Sequence, residues 1–126
     1  MAEVRTILVV DDTQEDRDLL SEILEDDGYE VITEDDGARA VKRLQSGDLK
    51  PDLILMDMSM PEMSGHTAIS LVKADENLKS IPFIFVTGKD RTQDLLESQM
   101  ADDFVTKPYD ADNLLMRIRK VLSRYT

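Results

Sequence analysis

The chain has no cysteine in 126 residues. Disulfides, thiolate metal centres and cysteine nucleophiles are therefore excluded, although the compartment is not decided by this alone. Basic residues are also scarce, with 15 Lys and Arg against 27 Asp and Glu and a formal net charge of -12. That balance argues against direct nucleic-acid binding, because neutralising phosphates takes clusters of Lys and Arg. Long apolar runs are missing too. None approaches the ~18 residues of a membrane span, and no charged segment leads into an apolar signal-peptide core, so neither a membrane partner nor a leader is expected. The expectation is a soluble, cytoplasmic protein forming one domain over residues 1–126. A domain of that size buries roughly two thirds of its unfolded surface and needs no staple.

The acidic residues are unevenly placed. Thirteen of them lie between Asp11 and Asp36, where Arg17 is the sole basic residue, whereas Phe104 to Thr126 carries five basic residues and two acidic ones. An acidic face near the first helices and a mildly basic last helix follow, and solvated helix faces account for both.

The stretch Pro51-Asp-Leu-Ile-Leu-Met-Asp57 organises the rest. Leu53 to Met56 is a continuous apolar run bounded by breakers, Pro51 before it and Pro61 and Gly65 after it. Such a run reads as a strand buried on both faces of a parallel sheet. Asp57 then stands at the carboxyl end of that strand, where ligands bind in open α/β sheets.

The same pattern recurs along the chain. Thr6 to Val10 is an apolar run that ends in Asp11 and Asp12. Thr13 follows as a predicted helix N-cap, with Asp16 in the reciprocal capping position. Leu19, Leu20, Ile23 and Leu24 mark the apolar stripe of that helix, which is expected to stop at Gly28. Tyr29 to Thr33 is a second strand, and Ala40, Val41 and Leu44 give a second helix. A third helix begins at Ser64 and Gly65, a fourth strand covers Ile81 to Val86, and a fourth helix is expected over Asp90 to Met100. Phe104 and Val105 form a short fifth strand before Lys107 and Pro108. Leu114, Leu115, Ile118, Val121 and Leu122 mark a final helix. Five strands alternating with five helices through short loops specify an α/β domain with a parallel sheet and right-handed crossovers. No second domain is expected.

The strand ends collect Asp11, Asp12, Asp57, Thr87 and Lys107. Two carboxylates ~4 Å apart repel by about 4 kcal/mol at an effective dielectric of 20. Three of them with one lysine therefore call for a proton or a cation. Carboxylates, a backbone carbonyl near Ser59 and water form an all-oxygen set suited to Mg²⁺, which retains positions for phosphate oxygens. Phosphoryl chemistry is the consequence. Asp57 would be the nucleophile and form a mixed anhydride, with the metal, Lys107 and Thr87 stabilising the equatorial oxygens.

Four motifs in order, Val9-Val10-Asp11-Asp12, Asp57-Met-Ser-Met-Pro61 with Gly65, Val86-Thr87-Gly88 and Phe104-Val-Thr-Lys107-Pro108, span nearly the whole chain. In them the sequence resembles the CheY-like receiver domain of two-component response regulators. The resemblance implies a flavodoxin-like (βα)5 sandwich with strand order 2-1-3-4-5. It implies phosphorylation of Asp57 by a sensor histidine kinase or a histidine phosphotransfer protein, and an onward message to a separate protein target. Asp12 would bind Mg²⁺ directly, Asp11 would hold a metal-bound water, and the Ser59 carbonyl would be a further ligand. Thr87 and Phe104 would form a switch pair, Lys107 would meet the phosphoryl group, and the Lys107-Pro108 bond would be cis. A monomer or a phosphorylation-dependent dimer is expected, acting as a phosphoacceptor switch and not as a turnover enzyme.

Phe104 stands where the family often has tyrosine, so a switch here would work by packing without a phenolic hydrogen bond. Ser59 and Lys89 fall where the family tunes hydrolysis. Two other classes are weaker. A phosphatase or phosphotransferase with an aspartyl-phosphate intermediate would present Asp-x-Asp, and Asp57-Met-Ser59 lacks the second carboxylate. A flavodoxin-type binding module needs a phosphate loop after the first strand, where Asp12 to Asp16 would repel a phosphate. Met56, Met58, Met60 and Met63 are read as packing residues, and His66 as structural or solvent-facing.

Overall fold

The computed structural model describes residues 4–58, 63–88 and 101–125. In chain order the elements are β1 (Thr6–Val10), α1 (Gln14–Asp26), β2 (Glu30–Glu34), α2 (Gly37–Gln45), β3 (Leu53–Asp57), α3 (Gly65–Lys73), β4 (Phe83–Thr87), β5 (Asp103–Thr106) and, numbered in that order, α4 (Ala111–Ser123). The helix expected over Asp90 to Met100 lies outside the described residues.

All five strands are parallel and run in the order β2-β1-β3-β4-β5, as the sequence resemblance implies. Alternation along the strands divides the core in two. Leu8, Val10, Ile54, Met56, Phe83 and Phe85 face α2 and α3, where Ala40, Val41, Leu44, Ala68, Ile69 and Val72 meet them. Ile7, Val9, Leu53, Leu55, Ile84 and Val86 face α1 and α4, against Leu20, Leu24, Leu114, Ile118 and Val121. Both faces of the central strands are thus covered, which is why their sequences are apolar at every position rather than at every second one.

The direction of winding across the sheet reverses between β1 and β3: one connection leads to β2 on one side, the others to β4 and β5 on the opposite side. The crevice outside the strand carboxyl ends opens at that switch point.

Most predicted boundaries hold, with local shifts. The second strand begins one residue later than read, because the ladder starts where Glu30 N donates to Arg5 O at 2.9 Å, while Tyr29 packs against the α1/α4 face. The fourth strand begins at Phe83 and extends through Thr87. Gly28 has φ 93°, a left-handed conformation that ends α1 at little steric cost.

Thr13 is the N-cap of α1, but its side chain makes no capping hydrogen bond. The reciprocal capping role read for Asp16 is therefore corrected: its carboxylate accepts from Lys107 Nζ at 2.8 Å. The methionine reading holds where it can be checked. Met56 and Met58 are buried and Met63 packs on the α2/α3 core; Met60 lies outside the described residues.

Candidate functional site

Each strand delivers its polar group by running out of apolar residues. Asp57 is the last residue of β3 and pairs in register with Val86. Asp11 follows β1, Thr87 ends β4, and Lys107 follows β5. The crevice floor is fixed by backbone bonds: Met58 N donates to Val86 O at 3.1 Å, and Lys107 N donates to Thr87 O at 2.6 Å. The Lys107-Pro108 bond is cis.

A second constraint comes from α3. Gly65 N donates to Met58 O at 3.0 Å. A Cβ on Gly65 would lie 2.7 Å from Phe85 Cε1 and 3.1 Å from the Asp57 carbonyl oxygen. Only glycine lets the helix start so close to the strand that carries Asp57.

The side chains converge as the sequence led one to expect. One carboxylate oxygen from each of Asp11, Asp12 and Asp57 lies within 4.8 Å of the others. Asp11 is 1% exposed and Asp57 8% exposed, whereas Asp12 faces solvent. Asp11 is held at both oxygens: Oδ1 accepts from Thr13 N at 2.9 Å, and Oδ2 accepts from Lys107 Nζ at 3.1 Å. Arg17 Nη1 donates to the Asp11 carbonyl at 2.8 Å, tying the first turn of α1 to the same strand end.

Lys107 sits among three carboxylates. Its Nζ is 2.8 Å from Asp16, 3.1 Å from Asp11 and 3.6 Å from Asp57. Partial burial pulls its pKa down, but hydrogen bonds to Asp16 and Asp11 and the charge of Asp57 outweigh this and hold it above the ordinary lysine value. Neighbouring Tyr109 is pushed up to about 12, first by burial and then by the charge of Asp16.

Two hydroxyls complete the site. Thr87 is 4% exposed, and its Oγ1 is buried with no hydrogen-bond partner among the described residues; Tyr109 OH is in the same state. An unpaired buried hydroxyl costs free energy relative to a satisfied one, so Thr87 is a donor awaiting an acceptor. Phe104 is half-buried, with its ring 5.9 Å from that of Phe85. It thus touches the core at β4, the strand next to the one that carries Asp57. His66 is half-buried in the first turn of α3.

Sequence reasoning missed Asp16 as a member of this constellation. Its place in the first turn of a helix fits a capping pattern, and only the path of the chain after β5 brings Lys107 to it. The one available signal was position: Asp16 lies in the first turn of the helix that opens just after Asp11 and Asp12. Ser59 and Lys89 lie outside the described residues.

The donor set is all oxygen and carries more negative charge than one ammonium balances. It therefore fits a hard divalent cation such as Mg²⁺, which would be held by Asp11, Asp12 and Asp57. No helix among the described residues is long and apolar enough to cross a membrane.

Known proteins resemble the chain. The chain is 39% identical over 117 residues to the CAI-1 autoinducer sensor kinase/phosphatase CqsS of Vibrio cholerae, covering 90% of this chain but 17% of that one. It is 35% identical over 121 residues to the chemotaxis protein CheY of Pseudomonas aeruginosa, covering 94% of this chain and 96% of that one. Among solved structures, the response regulator TrrA of Thermotoga maritima in complex with Mg²⁺-BeF superposes with a TM-score of 0.83 at 32% identity, covering 93% of this chain and 98% of that one. The family profile described as the response regulator receiver domain matches residues 7–119. That span holds all of the sheet but the first residue of β1, together with every carboxylate of the crevice, and the chain belongs to the response regulator receiver family.

Proposed function

We propose that this receiver accepts a phosphoryl group on Asp57 from a phosphohistidine of a sensor kinase or histidine phosphotransfer protein. The observation that carries the reading is the convergence of three carboxylates, a shared ammonium and an unpaired buried hydroxyl in one crevice. TrrA, solved with Mg²⁺-BeF, supports it by likeness.

In the step, a carboxylate oxygen of Asp57 forms a bond to phosphorus as the phosphorus–nitrogen bond to the donor imidazole breaks. The electron pair leaves on the imidazole nitrogen, and the product is a mixed anhydride. When bound at Asp11, Asp12 and Asp57, Mg²⁺ supplies positive charge to the phosphoryl oxygens. Lys107, already 3.6 Å from Asp57, adds the second positive charge. The Thr87 hydroxyl, which has no partner among the described residues, gains an acceptor.

The signal then follows from differential contact. Phosphorylation adds charge and acceptor oxygens beside β4, and Thr87 moves toward them. The space that its side chain leaves admits the ring of Phe104, which already leans on Phe85. The surface around β5 and α4 changes, and a protein partner reads it. The net charge of -12 favours such a partner over nucleic acid. In this role the chain is a switch and not a turnover enzyme.

Incubation with acetyl phosphate and Mg²⁺, followed by intact mass, tests the acceptor. The wild type gains one phosphoryl group and Asp57→Asn gains none. A gain that persists in Asp57→Asn, or never appears in the wild type, overturns the assignment. Phe104→Ala retains the modification but loses coupling to the partner.

A further inference from the structure

Lys107 and a divalent cation compete for the same oxygens. Asp11 and Asp57 belong both to the three-carboxylate cluster and to the set within 3.6 Å of Lys107 Nζ. Asp16 is different. It makes the shortest of the three contacts with the ammonium, 2.8 Å, yet does not belong to the cluster formed by Asp11, Asp12 and Asp57. Its side chain is 30% exposed against 22% for Lys107, so it can hold the lysine at the crevice edge without being desolvated itself.

We infer that Asp16 is a positioning residue: it shares Lys107 with Asp11 and Asp57 and thereby weakens the hold of the ammonium on the oxygens that Mg²⁺ would take. The inference rests on the proposed phosphoacceptor function and deepens it. Without the Asp16 charge, the ammonium settles on Asp11 and Asp57, which are its only other carboxylate contacts among the described residues, and the incoming cation has to displace it.

The sign separates this role from capping and from general electrostatics. A capping residue would change helix stability without changing cation affinity. A plain charge effect would lower affinity whether or not Lys107 were present. A residue acting through Lys107 loses its effect when Lys107 is removed, as expected for two members of one ion-pair network.

The test is a Mg²⁺ titration of the full chain followed by backbone amide NMR shifts of Asp11, Asp12 and Asp57. Wild type, Asp16→Asn, Lys107→Met and the double variant are compared, each with its fold checked by circular dichroism. Asp16→Asn is expected to weaken Mg²⁺ binding about fivefold in the wild-type background and less than about twofold in the Lys107→Met background. Asp16→Glu, which keeps the charge within reach of Lys107, restores most of the affinity. Equal losses in both backgrounds, or no loss in either, overturn the inference while normal wild-type binding leaves the phosphoacceptor reading standing. A wild type with no Mg²⁺-dependent shifts at the three carboxylates overturns both. Should Lys107→Met fail to fold, the side-chain Nζ resonance of Lys107 gives the answer: it shifts on Asp16→Asn if the contact positions the lysine, and an unchanged resonance overturns the inference.

Discussion

Two ion-pair clusters sit at neighbouring strand ends, and they are built to opposite ends. After β2, Glu34 is 9% exposed and pairs with Arg43 at 2.8 Å and Arg39 at 3.9 Å, while Asp48 and Asp35 bind the same two guanidiniums at 2.9 Å and 3.1 Å. Three carboxylates meet two rigid, multidentate cations, so each carboxylate has a guanidinium nitrogen within 3.1 Å. In the crevice, Asp11, Asp16 and Asp57 share a single ammonium, and Asp12 adds a further carboxylate beside Asp11 and Asp57. A compact point charge on a flexible stem satisfies fewer oxygens and is more easily drawn away. One cluster is closed and holds α2 against the sheet. The other is left short of positive charge, and that shortage is what a metal ion would fill before an anionic phosphoryl group could enter.

Substitution separates the two. Gly65→Ala, beside the crevice, has the largest expected effect on stability, a loss of about 1–3 kcal/mol in chemical denaturation, because the new methyl group meets Phe85 and the Asp57 carbonyl. A variant as stable as wild type would show that α3 is not pressed on β3. Removing one carboxylate from each cluster then gives opposite signs. Glu34→Gln lowers the melting temperature, since it weakens the pair with Arg43, whereas Asp57→Asn raises it in the absence of Mg²⁺ by relieving repulsion among carboxylates within 4.8 Å. Shifts of the same sign in both would end the comparison.

The smallest effect is expected at alkaline pH. The folded-state pKa of Lys107 is raised, so its contribution is complete below the unfolded lysine value of ~10.4 and is lost as pH rises through the folded value. Tyr109, at about 12, behaves in the same sense from its unfolded value of ~10 upward, since the folded chain keeps its phenol protonated longer. Stability therefore falls above roughly pH 10. In an ultraviolet titration, Tyr109→Phe removes the tyrosinate step near pH 12. Persistence of that step would place the raised phenol elsewhere.

Much of this was legible beforehand. Short apolar runs ending in Asp11, Asp57, Thr87 and Lys107 marked both the sheet and the crevice, since a strand buried on two faces leaves its first polar residue at the edge. Strand order was not readable from periodicity and came from likeness of motif. Asp16 was misread because local chemistry offered it a sufficient partner in the N-terminal turn of α1, while its actual one lies 91 positions further along the chain. The unpaired hydroxyl of Thr87 has no sequence signature at all. It is a consequence of burial, and burial is set by every neighbour at once.

The tight seat of Gly65 against the end of β3 bears on how the molecule could respond to modification. With Gly65 bonded to the Met58 carbonyl and no room for a methyl group between it and Phe85, that flank would offer little space to a group newly attached to Asp57. Compliance would fall to the far bank of the crevice, where the Thr87 hydroxyl has no hydrogen-bond partner among the described residues.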